Sequence, residues 1–218
     1  MMDSDAIYLS LKLAAWTLML LLPIGVWAAR QLLNAGYLKP FLEAALALPL
    51  VLPPTVLGYY LLVGLGGKTI FGIPLVFSFT GILIASLIVN LPFAIQPIQR
   101  AFEAINPEII EAAQVSGLSK WQTFRLIELP LAWRGITSAA VLTFAHTLGE
   151  FGVILMVGGA IPGETKTVSI SIYDKVQSFD ASGAGALSLI LLSTSLIAIA
   201  LSYGVLGSHA SHAKNWRG

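Results

Sequence analysis

The spacing in this chain that comes nearest to nucleotide chemistry is Gly66-Gly67-Lys68-Thr69, the closing half of a phosphate-binding loop. A complete loop needs G-x-x-x-x-G-K-[ST], because its glycine-rich backbone cradles the phosphates while the lysine reaches them. The first glycine would have to stand at Leu62, and no strand leads into the segment. It reads as a turn after an apolar stretch, and the chain does not hydrolyse nucleotide by itself. The sequence has no cysteine, which excludes thiolate catalysis, disulfides, iron–sulfur clusters and cysteine-type zinc sites. It has no HExxH, no GxSG and no pair of intramembrane aspartates. His146, His209 and His212 lack ligand spacing with any carboxylate-rich set, and weak adventitious metal binding is the most that His209 and His212 support. Glu150 remains, an acid inside an apolar run, and such acids are functional candidates by default. Flanked by Gly149 and Gly152, it is expected to brace a helix break by accepting hydrogen bonds and to serve as a gate hinge, with Pro53 and Pro54 as a second break. A proton relay is the sharper alternative, and it lacks a second intramembrane acid.

The elements that must position these residues are membrane helices. Of 218 residues 56% are hydrophobic and 11% charged, with a mean hydropathy of +0.83, against roughly 25% charged in a soluble domain. Lipid is the solvent such a surface implies. Asp3 and Asp5 stand where a signal peptide would be basic, and no small-residue cleavage site follows the first apolar run, which is therefore expected to be a retained span. A helix needs about 20 apolar residues to cross the hydrocarbon core. Spans are expected at about 7–29, 43–64, 79–98, 136–158 and 185–206, giving an all-α polytopic protein of five transmembrane helices in one domain, 1–218. Arg30, Lys39, Arg100, Lys120, Arg125, Arg134, Lys214 and Arg217 would share one side, and Lys12, Lys68, Lys166 and Lys175 the other. The excess places the loop at about 99–135 and the C-terminus in the cytoplasm, and the N-terminus outside. Within the second span LPLVLPPTVLGYY carries three prolines in six residues, which predicts a broken helix lining a cavity.

The loop is polar where the chain is otherwise apolar. Asn106-Pro107-Glu108 has the order of N-cap, first helical residue and first-turn acid. That helix runs to Ser116 and stops at Gly117, which suits a left-handed C′ position. Ser119 and Gln122 have capping-box spacing for a second helix, expected to end before Pro130. Such a hairpin can pack back on its own spans, bind DNA or enter a groove on a soluble partner. Near-neutral charge and a tether at the bilayer exclude nucleic acid. Ala112 and Ala113 permit close approach of a partner, and Gly117 lets the turn fit tightly.

Glu111, Ala112, Ala113, Gly117, Ile127, Leu129 and Pro130 match E-A-A-x3-G-x9-I-x-L-P at full spacing. The stretch resembles the cytoplasmic coupling motif of permease subunits of bacterial ABC importers. LPLVLPPTVLGYYLLVGLG (Leu48–Gly66), FAHTLGEFGVILMVGG (Phe144–Gly159) and IPGETKTVSISIYDKVQ (Ile161–Gln177) are similar to the molybdate permease family, with LGEFG and IPGET shared by sulfate and thiosulfate permeases. One departure is His146, where members of the family often carry arginine. The resemblance implies a type I ABC-importer permease fold, with Glu111, Ala112, Ala113, Gly117 and Leu118 docking in a cleft of a separate ATPase subunit. It implies a homodimer in the bacterial inner membrane, two ATPase subunits below it and an extracytoplasmic binding protein above. ATP and magnesium belong to the partner, with no cofactor on this chain.

Under that resemblance a dianion such as molybdate, tungstate or sulfate must cross a layer that opposes naked entry by many kcal/mol. Hydroxyls, amides and helix N-termini hold it weakly enough for release. The candidates are Thr55, Tyr59, Ser86, Asn90, Thr143, His146 and Thr147, of which the last three share a helix face at i, i+3, i+4. The competing reading is that hydroxyls inside spans bond back to their own helix or a neighbour. An ionised Glu150 would not touch the dianion directly.

Overall fold

The computed structural model describes residues 2–70 and 72–214, with side chains for 4–70 and 72–200; His209 and His212 lie outside the described side chains. Its helices are α1 (Met2–Leu33), α2 (Lys39–Val51), α3 (Pro54–Leu65), α4 (Phe79–Glu103), α5 (Pro107–Val115), α6 (Lys120–Thr123), α7 (Leu129–Leu131), α8 (Trp133–Gly149), α9 (Gly152–Gly158), α10 (Val168–Gln177) and α11 (Ala181–Lys214). Among the described residues α1, α4 and α11 are long and apolar enough to cross a membrane. Five spans result if the bent pairs α2–α3 and α8–α9 each count as one, with bends of 106° and 59°.

The packed centre is α1, α4 and α8. α4 is the most enclosed of the three long apolar helices, with 56% of its apolar window buried against 39% for α1 and 11% for α11. Because lipid tails are as apolar as leucine, close packing rather than water exclusion holds such helices together. Small residues provide it. A Cβ on Gly135 of α8 would lie 2.4 Å from the Ala101 Cβ and 2.6 Å from the Pro97 carbonyl oxygen of α4. Ala29, Ile95, Ile98, Phe102, Ala132 and Ala139 cluster toward one end, while Leu13, Ile82, Val89, Val153, Ile154 and Ile170 cluster toward the other.

Lys68 to Leu75 forms a small hairpin, with β1 (Thr69–Ile70) antiparallel to β2 (Ile73–Pro74), so the GGKT segment is a turn as expected. Ser78 then caps α4, accepting the Gly81 N–H at 3.2 Å. Two features were not foreseen. Residues 168–177, noted only for family likeness, form α10, whose Val168 N–H bonds to the Ser10 hydroxyl of α1 at 2.9 Å. And Pro130 does not end the second loop helix. A π-helical turn at Phe124–Glu128, closed by Leu129 N–H to Phe124 O, widens the backbone just before the proline, and α7 continues through it.

Candidate functional site

A polar seam crosses the packed centre. Thr17 of α1 and Ser86 of α4 share a hydrogen bond of 2.9 Å between hydroxyls. Asn90, one turn further along α4, donates its amide to the Ser86 carbonyl at 2.8 Å and to the Ser86 hydroxyl at 3.3 Å. Its oxygen faces Nδ1 of His146 on α8 at 3.1 Å. The imidazole stacks on Phe93 with ring centroids 4.1 Å apart, and its Nε2 lies 3.9 Å from Oε2 of Glu150. Buried polar groups are costly unless paired. Here each finds a partner on a neighbouring helix, so the seam fixes how α1, α4 and α8 meet.

The seam ends at a partly open cavity of about 300 Å³ between the two bent helix pairs and α4. Pro49, Leu52, Pro54 and Leu57 come from the α2–α3 bend, and Phe93, His146 and Glu150 from the opposite wall. The broken α2–α3 helix therefore lines a cavity. The break between α8 and α9 falls at Glu150, which is 8% exposed. Its Oε1 accepts the Val153 N–H at 3.0 Å, and its backbone carbonyl accepts the Ser169 hydroxyl of α10 at 2.7 Å. A Cβ on Gly152 would stand 2.8 Å from the Pro54 Cβ, so glycine lets the two breaks touch.

The candidate polar residues are not all brought together. Ser86, Asn90 and His146 belong to the seam, and only His146 of these lines the cavity. Thr147 donates back to the Thr143 carbonyl at 2.7 Å, and the Thr143 hydroxyl is buried without a partner. Thr55 and Tyr59 are exposed on α3 and do not line the cavity. Thr17 was missed, since a lone threonine in an apolar helix has no local signal. The approach of His146 to Glu150 had one, their four-residue spacing, which places both on one face across the break.

At the other end of the bundle lies the loop hairpin. Asn106 accepts the Glu108 N–H at 3.0 Å and caps α5. Gly117 has φ +87 in the turn, and Leu118 N–H closes it on the Ala113 carbonyl at 3.1 Å. The Ser119–Gln122 capping box is complete in both directions. Ala113 packs inward, while Glu111, Ala112, Val115 and Gly117 are exposed. The hairpin is tied to the spans by Arg30 of α1, whose guanidinium makes two bonds to Glu128, 2.9 and 3.1 Å, and sits 4.3 Å from the Phe124 ring centroid. Lys39 reaches Glu103 at 2.7 Å, and the Gln99 amide bridges Glu43 and Glu103, fastening α2 to α4 at the same end.

Comparison with known proteins agrees with this architecture. Residues 21–209 match the model of the binding-protein-dependent transport system inner membrane component family. A molybdenum transport system permease protein of Azotobacter vinelandii is 46% identical, over 82% of this chain and 83% of its own. Its counterpart in Escherichia coli K12 is 35% identical over 91% of both chains. A chain from the crystal structure of a bacterial ABC transporter that imports alginate superposes with a TM-score of 0.69 over 92% of this chain and 79% of its own, at 22% identity, and shares its fold. The chain therefore belongs to the binding-protein-dependent transport system inner membrane component family, as the permease of an ABC importer.

Proposed function

We propose that this chain forms the membrane path of an ATP-driven molybdate importer and is driven through Glu111–Leu118 by a separate ATPase subunit. The observation that carries the reading is the hairpin. Its motif residues Glu111, Ala112 and Gly117 stand exposed on a capped helix and turn, while Arg30–Glu128 ties the following segment to α1. A force applied to α5 is then passed to a long span rather than lost in a loose loop. The 46% identity to a molybdenum transport permease supports the substrate class. Tungstate, of the same charge and shape, is a second cargo.

The working unit is a homodimer with the path at its interface, two ATPase subunits holding ATP and magnesium, and an extracytoplasmic binding protein. The hairpin and C-terminus face the cytoplasm and the N-terminus the outside, because Arg30, Lys39, Arg100, Lys120 and Arg125 gather at the hairpin end. Of the candidate donors, His146 lines the cavity and Thr55 and Tyr59 are exposed on α3, and these three offer themselves to the oxyanion, while Ser86, Asn90, Thr143 and Thr147 are buried and support the wall from behind. Gly149, Glu150, Gly152, Pro53 and Pro54 act as the gate hinges. Sulfate or thiosulfate transport is the second reading, favoured by the LGEFG and IPGET stretches.

Uptake of labelled molybdate by the reconstituted complex, with tungstate and sulfate as competitors, tests the substrate. Competition by tungstate alone supports the proposal, and equal competition by sulfate moves it to the second reading. Gly117→Asp tests the coupling. A non-glycine residue at φ +87 strains the turn by roughly 1–2 kcal/mol, and the added carboxylate blocks close docking. Membrane insertion should persist while uptake falls at least about ten-fold, the equivalent of about 1.4 kcal/mol; preserved ATP-driven uptake would refute the docking role.

A further inference from the structure

We propose that a trough between α1 and the loop hairpin is a site for one anionic phospholipid, with an acyl chain along its apolar wall and the phosphate against Arg30 and Lys120. The trough has a volume of about 550 Å³ and shares no residue with the cavity at Glu150. Leu22, Pro23 and Val26 of α1 line it together with Phe124 and Leu129 of the hairpin segment. Trp27, Arg30 and Trp121 complete the wall. Its depth follows from α1, where Leu22 and Arg30 are about 12 Å apart along the axis at 1.5 Å per residue. That distance runs from the charged end of an apolar span into the part that crosses hydrocarbon. A lipid tail reaches such a depth, and a soluble partner does not. A second copy related by a two-fold axis along the membrane normal would bring the same cations to the same level, so like charges would meet there.

The polar end fits a headgroup. Trp27 and Trp121 are 65% and 64% exposed, and neither indole N–H has a protein acceptor among the described residues. Tryptophans so placed belong at headgroup level, ring in the apolar layer and N–H toward polar groups. Arg30 uses Nε and Nη2 on Glu128, while Nη1 has no protein acceptor among the described residues. That free edge presents two N–H groups, a geometry that suits phosphate oxygens. The Lys120 carbonyl lies 3.5 Å from Nη2, which puts Lys120 beside the guanidinium, exposed and without an ion pair among the described residues. Charge then decides which lipid. Residues 118–134 carry Lys120, Arg125 and Arg134 against Glu128 alone, and Glu128 is already paired with Arg30. Lipid tails are as apolar as leucine, so filling the trough favours no lipid over another. The cations make the choice, through attraction to an anionic headgroup. A lipid held this way bridges α1 and the hairpin in parallel with Arg30–Glu128.

Lipid occupancy is independent of the cargo, so binding is read directly. The full chain in detergent is mixed with equal amounts of phosphatidylglycerol and phosphatidylcholine of the same acyl chains, and native mass spectrometry counts the lipid each chain retains. One phosphatidylglycerol per chain is expected, favoured over phosphatidylcholine by about five-fold or more, the scale of one cation near a membrane surface. Lys120→Gln, at an exposed position, should remove most of that preference. Val26→Trp, which fills the trough, should cut retention of both lipids at an unchanged melting temperature. Equal retention of the two lipids by the wild type, or a preference that Lys120→Gln leaves intact, overturns the proposal. Wild-type retention in Val26→Trp places the lipid elsewhere and overturns it too. So do lipid-free dimers beside lipid-bearing monomers, which would give the trough to a second copy of the chain.

Discussion

The two bends that flank the cavity are made in opposite ways. At α2–α3 the chain breaks by removing donors. Pro53 and Pro54 have no N–H, Leu52 takes the extended conformation expected before proline at φ −71 and ψ 137, and α3 starts with no side-chain cap. At α8–α9 the chain breaks by supplying an acceptor. Glu150 leaves the helix at φ −66 and ψ 126, and its carboxylate receives the Val153 N–H of the next helix. In hydrocarbon both devices meet the same requirement, that no backbone polar group be left without a partner. They differ in what they can do. Prolines set a fixed 106° bend, while the carboxylate cap brings a polar side chain, with His146 beside it, into the cavity wall.

Substitutions at the two breaks separate these roles. The largest effect is expected where they touch. Gly152→Leu drives a side chain into Pro54, already 2.8 Å from an added Cβ, and overpacking of this kind costs about 1–3 kcal/mol. Uptake should collapse, with a lower melting temperature in detergent; normal uptake would show that contact between the breaks is dispensable. Glu150→Ala comes next. It removes the cap, which is typically worth about 0.5–2 kcal/mol, and Glu150→Gln should restore most of the thermal stability that Ala loses. Equal losses for Ala and Gln would mean that charge, not capping, holds the α8–α9 break.

Pro53→Ala should matter less. It returns an N–H to a bend still held by Pro54 and frees the unfolded chain, for a loss of about 1 kcal/mol or less by denaturation in detergent. A large loss would place the bend in the first proline alone. The smallest effect is expected at a second acid that caps a helix, at the edge of the span. Asp180 accepts the Gly183 N–H and a bond from Lys175, which hold its carboxyl below the usual aspartate range. A depressed folded-state value means the stabilisation is present at neutral pH and is lost as pH falls through that value. Asp180→Asn should lower neutral-pH melting slightly and flatten its decline in acid, the two proteins converging at low pH, in contrast to Glu150, whose cap lies inside the bundle.

Caps and turns were legible because their causes lie within four residues. Asn106, Gly117, Ser119 with Gln122, and the Pro53-Pro54 break each stand where side-chain type alone fixes the backbone. The five apolar stretches were legible from composition, since few charges can enter hydrocarbon. Which helix is central was not. In water an apolar stripe marks the buried face, but in lipid every face is apolar, so the enclosure of α4 and the exposure of α11 read alike in the sequence. For the same reason Thr55 and Tyr59 looked equivalent to Ser86 and Asn90, although they face away from the seam.

What the sequence determined by itself is a membrane-spanning helical chain with a capped hairpin and two points where spans must break. The tertiary structure decided what those points meet. Arg30 finds Glu128 across 98 positions, Asn90 orients His146 across 56, and Gly152 settles against Pro54. Such pairings depend on which helix faces come together, and close packing between helices selects those faces where sequence periodicity cannot.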